Sequence, residues 1–219
     1  MSNSLSTPAA APRRALLVID VQNEYVTGGL RIEYPPVHDS LERIAQAIDA
    51  ANAAGIPVVL VQNDAPETSP VFARGSDGWK LHASVASRPH ALVISKTLPS
   101  VFAGTALADW LSKQRIDTIT VAGYMSHNCD ASTIVDALHR GLKAEFLSDA
   151  TGSLPYANTA GSASAEEIHR VFSVVLHSRF AAVATTQAWV DAVAAGAELP
   201  RGNIVASNAE ALERLPVML

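Results

Sequence analysis

Six short, nearly unbroken apolar runs constrain this chain more than any other feature. They are ALLVI (15–19), PVVLVQ (57–62), ALVIS (91–95), TITVAG (118–123), AEFL (144–147) and FAAVAT (180–185). A strand with one wet face alternates apolar and polar residues, whereas a strand covered on both faces has no need to. The runs therefore predict a parallel sheet buried between two layers of helices. Helical patterns fall between them, near 38–54, 104–115, 129–141, 164–177 and 186–194. In the first, Leu41, Ile44, Ala45 and Ile48 repeat near helical spacing, and Gly55-Ile56-Pro57 stops the run. In the third, Ile134, Val135, Leu138 and Leu142 form the apolar stripe, with Gly141 marking its end. The alternation, with right-handed crossovers, gives an α/β class fold: a three-layer α/β/α sandwich around a mostly parallel six-stranded sheet.

With 219 residues, 48% of them hydrophobic, the chain can bury one sizeable core. One domain is expected over 14–194. Residues 1–13 read as a disordered tail. Residues 195–219, with Gly196, Pro200 and Gly202 ahead of a short helical patch at 208–215, read as an arm packed on the domain or on an oligomer partner. The long aperiodic stretch 63–90 has the character of a lid or an interface. A formal charge of −5 argues against a nucleic-acid partner or an anionic membrane surface. A single cysteine cannot make an internal disulfide, which fits a reducing compartment. Arg13-Arg14 precedes an apolar run broken at Asp20, so it reads as a strand and not as an export signal. No run reaches the roughly 20 apolar residues of a membrane span. A cytoplasmic protein is expected. No dinucleotide or P-loop glycine pattern follows any strand.

Ligands of open parallel sheets bind beyond the carboxyl ends of the strands. Asp20 follows the first run, Lys96 the third and Cys129 the fourth. Each alone has a structural explanation: a strand-ending Asp, a Lys reaching solvent along its stem, a small buried thiol. Together they place an acid, a cation and a nucleophile on one edge. A thiol attacks as thiolate, and a helix N-terminus with a nearby ammonium lowers its pKa. A carboxylate in reach can take the proton and return it to a leaving amine.

The segments LLVIDVQNEY, ISKTLPSVFAGTAL and VAGYMSHNCDAST, in this order, resemble the isochorismatase-like cysteine hydrolases. That superfamily includes nicotinamidases, N-carbamoylsarcosine and ureidoacrylate amidohydrolases, and isochorismatases, on a Rossmann-like fold. The likeness runs over about residues 14–193. It implies an Asp20–Lys96–Cys129 triad, a cis peptide at Tyr124–Met125, and an oxyanion hole from the backbone N–H groups of Met125 and Cys129. It also implies a homo-oligomer, dimer or tetramer. Nicotinamidases carry an Asp-x-His metal pair after the second strand. Here Asp64 lacks that histidine and His82 stands alone, so neither a metal nor any other cofactor is expected.

Gln22, Tyr25, Trp79, Phe102, Tyr124, His127 and Tyr156 are candidate substrate-binding residues, being loop or strand-end positions near that edge. Gln22 is also suited to holding backbone, Tyr25 to packing, and His127 to facing solvent. Asp149, after the fifth run, suits a loop cap better than catalysis. The expected activity is metal-independent hydrolysis of a C–N bond in a small amide, ureide or carbamoyl compound, through a thioester. The alternatives are vinyl-ether hydrolysis of an isochorismate-like substrate, with Asp20 as acid, and a non-catalytic binding protein on the same fold.

Overall fold

The computed structural model describes residues 11–214. Its sheet contains β1 (Arg14–Ile19), β2 (Val58–Asn63), β3 (Leu92–Lys96), β4 (Thr118–Tyr124), β5 (Lys143–Gly152) and β8 (Ala182–Ala184). Their order is β3-β2-β1-β4-β5-β8, and every pairing is parallel. From β1 the chain builds outward through β2 and β3, then returns to the other side of β1 for β4. That reversal opens a crevice beyond the ends of β1 and β4.

The helices are α1 (Val37–Ala53), α2 (Ala83–Ala86), α3 (Leu107–Lys113), α4 (Ala131–His139), α5 (Ala165–Val175), α6 (Thr186–Ala194) and α7 (Ile204–Arg214). Because side chains alternate across a strand, β1 feeds both cores at once. Leu16 and Val18 pack with Ile44, Ile48 and Trp189 of α1 and α6. Leu17 and Ile19 pack with Leu107, Leu111 and Ile134 of α3 and α4. β1, β2 and β4 are thus dry on both faces, whereas β3, at the sheet edge, leaves Val93 and Ser95 exposed. No helix among the described residues is long and apolar enough to cross a membrane.

Several boundaries differ from the sequence reading. The helical conformation expected from 129 begins at Ser126, as a π-helical turn (Ser126–Asp130) leading into α4, so Cys129 lies inside that turn. A second π-helical turn (Leu176–Phe180) continues α5 and shortens the last strand to three residues. Residues 104–106 precede α3 without joining it. β5 runs on to Gly152 after a register shift opposite Val121–Gly123. A small antiparallel hairpin, β6 (Tyr156–Asn158) and β7 (Gly161–Ala163), was not anticipated. Such three-residue strands are too short to leave a period-2 signal.

Of the tail expected at 1–13, residues 1–10 lie outside the described residues. Arg13 is already tied down, its N–H donating to Asp117 Oδ1 at 3.0 Å. Residues 195–203 lie against the domain, where the Ala197 carbonyl accepts from Arg14 Nη2 at 2.7 Å and Leu199 is buried. α7 begins earlier than the helical patch read from the sequence, and residues 215–219 fall outside the described residues.

Candidate active site

β1 ends at Ile19, and the next residue, Asp20, is fully buried with a left-handed φ of 51°. Its N–H donates to the Val61 carbonyl at 2.9 Å, which fixes the carboxylate over the sheet edge. Beside it, Gly123 pairs with Ile19 at φ +117°; a Cβ there would stand 2.1 Å from the Ile19 carbonyl oxygen. Only glycine lets β4 approach this closely. Lys96 ends β3, two strands from β1, and its stem spans the end of β2. There its ammonium lies 2.7 Å from Asp20 Oδ2, 3.1 Å from Cys129 Sγ and 3.5 Å from Asn63 Oδ1.

The three groups are nearly sealed from water, with Cys129 exposed by only 5%. Burial, the largest influence, raises the Asp20 pKa, and the Lys96 charge opposes it. Burial would depress Lys96, but the charges of Asp20 and Cys129 outweigh it and raise its pKa. For Cys129, burial and then the Asp20 charge push the pKa well up, with Lys96 only partly offsetting them. This corrects the expectation of a lowered thiol pKa. The ammonium already has a carboxylate partner, and the thiol sits three residues into its turn, away from the helix start. Burial thus favours the neutral thiol at rest, and Cys129 and Asp20 are linked through the Lys96 ammonium that contacts both.

The surrounding sequence matches known proteins. The family model for the isochorismatase domain matches residues 14–188. The chain belongs to the isochorismatase family. Within it, streptothricin hydrolase from Streptomyces noursei is 36% identical over 153 residues. That match covers 68% of this chain but only 60% of the relative, less than two thirds of its length. A ureidoacrylate amidohydrolase from Methylobacterium radiotolerans is 27% identical over 220 residues, covering 85% of this chain and 82% of the relative. The crystal structure of an isochorismatase-type protein from Burkholderia xenovorans LB400 superposes with a TM-score of 0.92 at 65% identity. It covers 93% of this chain and 98% of that one. The family is one of hydrolases, and amide-cleaving enzymes are among these relatives.

Other residues singled out in this isochorismatase-family chain take varied places. Tyr124, a proposed substrate contact, is corrected to a core residue. It is wholly buried, and its hydroxyl is 2.7 Å from Ser40 Oγ on α1. The Tyr124–Met125 bond is cis. Tyr25 packs edge-on against Tyr124 and is 3% exposed, the packing role also read for it. Gln22 holds backbone instead of ligand, donating to the carbonyls of Asn63 (2.9 Å) and Trp79 (2.7 Å) and accepting from Asn63 N–H. The 63–90 stretch is thereby pinned to the loop after β1. Trp79 is anchored too, its Nε1 donating to Asp64 Oδ1 at 3.0 Å. Phe102 is buried under the Arg140 guanidinium.

His127 is half-buried, which corrects the solvent-facing reading; its ring nitrogens lie 3.1 Å from Ser153 Oγ and 3.0 Å from Tyr156 Oη. That pairing keeps His127 and Tyr156 together beside Met125. Asp149 accepts from the N–H and hydroxyl of Thr186, a cap at the start of α6. His82 caps α2.

Sequence reasoning missed three features. Asp130, next to Cys129, is fully buried with no hydrogen-bond partner for either oxygen. Asn63 reaches Lys96 from β2. Ser126 and His169 form a buried pair 2.9 Å apart, tying the cysteine turn to α5. The available signal was the i, i+4 spacing of His169 from Ala165 on the buried side of α5, but nothing local pointed to Ser126 as its partner.

Proposed function

We propose that this protein is a cysteine amidohydrolase that cleaves a C–N bond of a small amide, ureide or carbamoyl compound. The reading rests on one observation: a single ammonium, from Lys96, contacts both the carboxylate of Asp20 and the sulfur of Cys129. Asp20 takes the thiol proton as Cys129 Sγ attacks the substrate carbonyl carbon. Negative charge moves from carboxylate to sulfur while remaining beside the same ammonium, so little reorganisation is needed. The N–H groups of Met125 and Cys129 are assigned to the carbonyl oxygen as it becomes an oxyanion. When the C–N bond breaks, Asp20 returns the proton to the leaving nitrogen. Water then adds to the thioester, Asp20 takes its proton, and the acid leaves as the C–S bond breaks.

Metal is not required in this scheme. Asp64 is engaged by the Arg74 guanidinium and by Trp79 Nε1, so its oxygens are committed. Prolonged chelator treatment should leave turnover unchanged; loss restored by one divalent ion would refute this. The decisive test of the scheme is a small amide and ureide panel assayed for ammonia. Wild type should form a thioester-mass adduct at Cys129 with a turned-over substrate, and Cys129→Ala should lose both adduct and turnover. Near-normal turnover by Cys129→Ala would sink the reading.

A second reading makes Asp20 the acid: its carboxyl is fully buried, which works against the charged form, and a protonated Asp20 would serve to protonate a vinyl ether. Isochorismate turnover undiminished in Cys129→Ala would select it.

A further inference from the structure

The small hairpin beside the cysteine turn bears on what the substrate carries at its non-reacting end. Its register pairs Tyr156 with Ala163, Ala157 with Ser162 and Asn158 with Gly161. Side chains alternate along a strand, so Tyr156, Asn158 and Ala163 share one face while Ala157 points to the other. The first face lines an open groove of about 340 Å³ together with Ser162, His127 and Phe172, whereas Ala157 does not line it. The groove adjoins the nucleophile turn. His127 belongs to that turn and lies 3.0 Å from Tyr156 Oη, which in turn reaches Met125 Sδ at 3.9 Å. Burial raises the Tyr156 phenol pKa, and a thiolate at Cys129 adds to that shift.

No Asp, Glu, Lys or Arg is among the described residues lining this groove. Its one base, His127, is neutral at pH 7, its pKa pushed down to about 4 by burial and by nearby His169. A charged group seated there meets no counter-charge from the lining side chains and gives up part of its hydration against Phe172. A flat apolar group could instead lie against Phe172, while the Tyr156 hydroxyl, His127 and Asn158 satisfy a neutral polar atom.

Resting on the cysteine-hydrolase reading, we propose that this groove seats the non-reacting end of the substrate and selects an uncharged one. The favoured class is an amide with an aromatic or apolar body. Ureido or carbamoyl acids bearing a carboxylate, and amides bearing an ammonium, are disfavoured.

Three benzyl chloroacetamides test this: one unsubstituted, one with a 4-carboxylate and one with a 4-aminomethyl group. In each, Cys129 Sγ forms a bond to the methylene carbon, chloride leaves, and the thiol proton passes to solvent. Because the chain has one cysteine, intact mass reads Cys129 alone. Rates are divided by those of N-acetylcysteine with the same probe. The neutral probe should then react at least about ten-fold faster than either charged one. Asn158→Asp keeps an oxygen to accept the Ala160 N–H, which Asn158 Oδ1 now holds at 2.9 Å. It should raise the ammonium probe several-fold relative to the neutral one, whereas Ala157→Asp, on the opposite face, should preserve the wild-type order. A charged probe matching the neutral one in wild type, or equal responses to the two Asp variants, would overturn the proposal. Labelling of the unfolded chain by all three probes, with none labelling the folded protein, would instead remove the cysteine-hydrolase reading, and this proposal with it.

Discussion

Asp130 follows Cys129 directly, is fully buried, and meets no hydrogen-bond donor at either oxygen. Burial, then the charge of Asp20, raises its pKa well above the ordinary carboxylate value. Folding therefore favours the protonated acid. The stability associated with that proton is complete below the unfolded pKa near 3.8 and is lost as pH rises toward the folded value. Asp130→Asn removes the dependence. Its stability relative to wild type should grow with pH above 4, by at most about 1.4 kcal/mol per unit. Urea midpoints at pH 5 and pH 8 check this, and an equal difference at both would contradict it. Lys96→Met should act oppositely on chemistry, slowing alkylation of Cys129 at neutral pH by removing the cation that opposes the thiol's raised pKa. Asp20 and Lys96 were legible in the sequence because each directly follows an apolar run, and Cys129 because it stands at the seam between the fourth run and a helical pattern. Asp130 was not, since a carboxyl beside a cysteine looks solvated until the packing around it is known.

At the level of elements, β1, β4, β5 and α6 are cross-tied by one buried carboxylate. Glu145 accepts from Arg14 Nη2 (2.8 Å), Thr120 Oγ1 (2.7 Å) and Trp189 Nε1 (2.9 Å). Glu145→Ala would leave the Arg14 guanidinium buried without its counter-charge. A loss of about 3–5 kcal/mol is expected by chemical denaturation; a change under 1 kcal/mol would mean that water reaches Arg14 freely. The strands themselves could be read from continuous apolarity, and α1 and α4 from periodicity and stop signals. The two π-helical turns could not, because a one-residue widening of a helical turn leaves the apolar spacing almost intact. The hairpin escaped for a related reason: its two three-residue strands, with five of six residues exposed, carry no hydrophobic pattern.

Across the whole molecule, α5 and α7 expose Val171, Val174, Val175, Val205 and Leu212, a larger apolar display than elsewhere on the described surface. Light scattering at micromolar concentration should report more than one copy per particle, and a monomer throughout would refute the expected oligomer. The sheet order matters in another way. Lys96 and Cys129 are 33 positions apart, and Asp20 lies far upstream of both. Their meeting requires β3, β2, β1 and β4 to be assembled side by side in that order. Closing such long loops is slow compared with forming helices. A nascent or refolding chain therefore spends its early life with an ordinary, unshielded thiol, and the sealed one arises only when the sheet is complete. Pulsed alkylation during refolding would make the cysteine a clock for that last assembly step. The same delay makes oxidation a hazard of synthesis more than of the finished protein, and with no second cysteine in the chain, an early sulfenic acid has no internal thiol to resolve it.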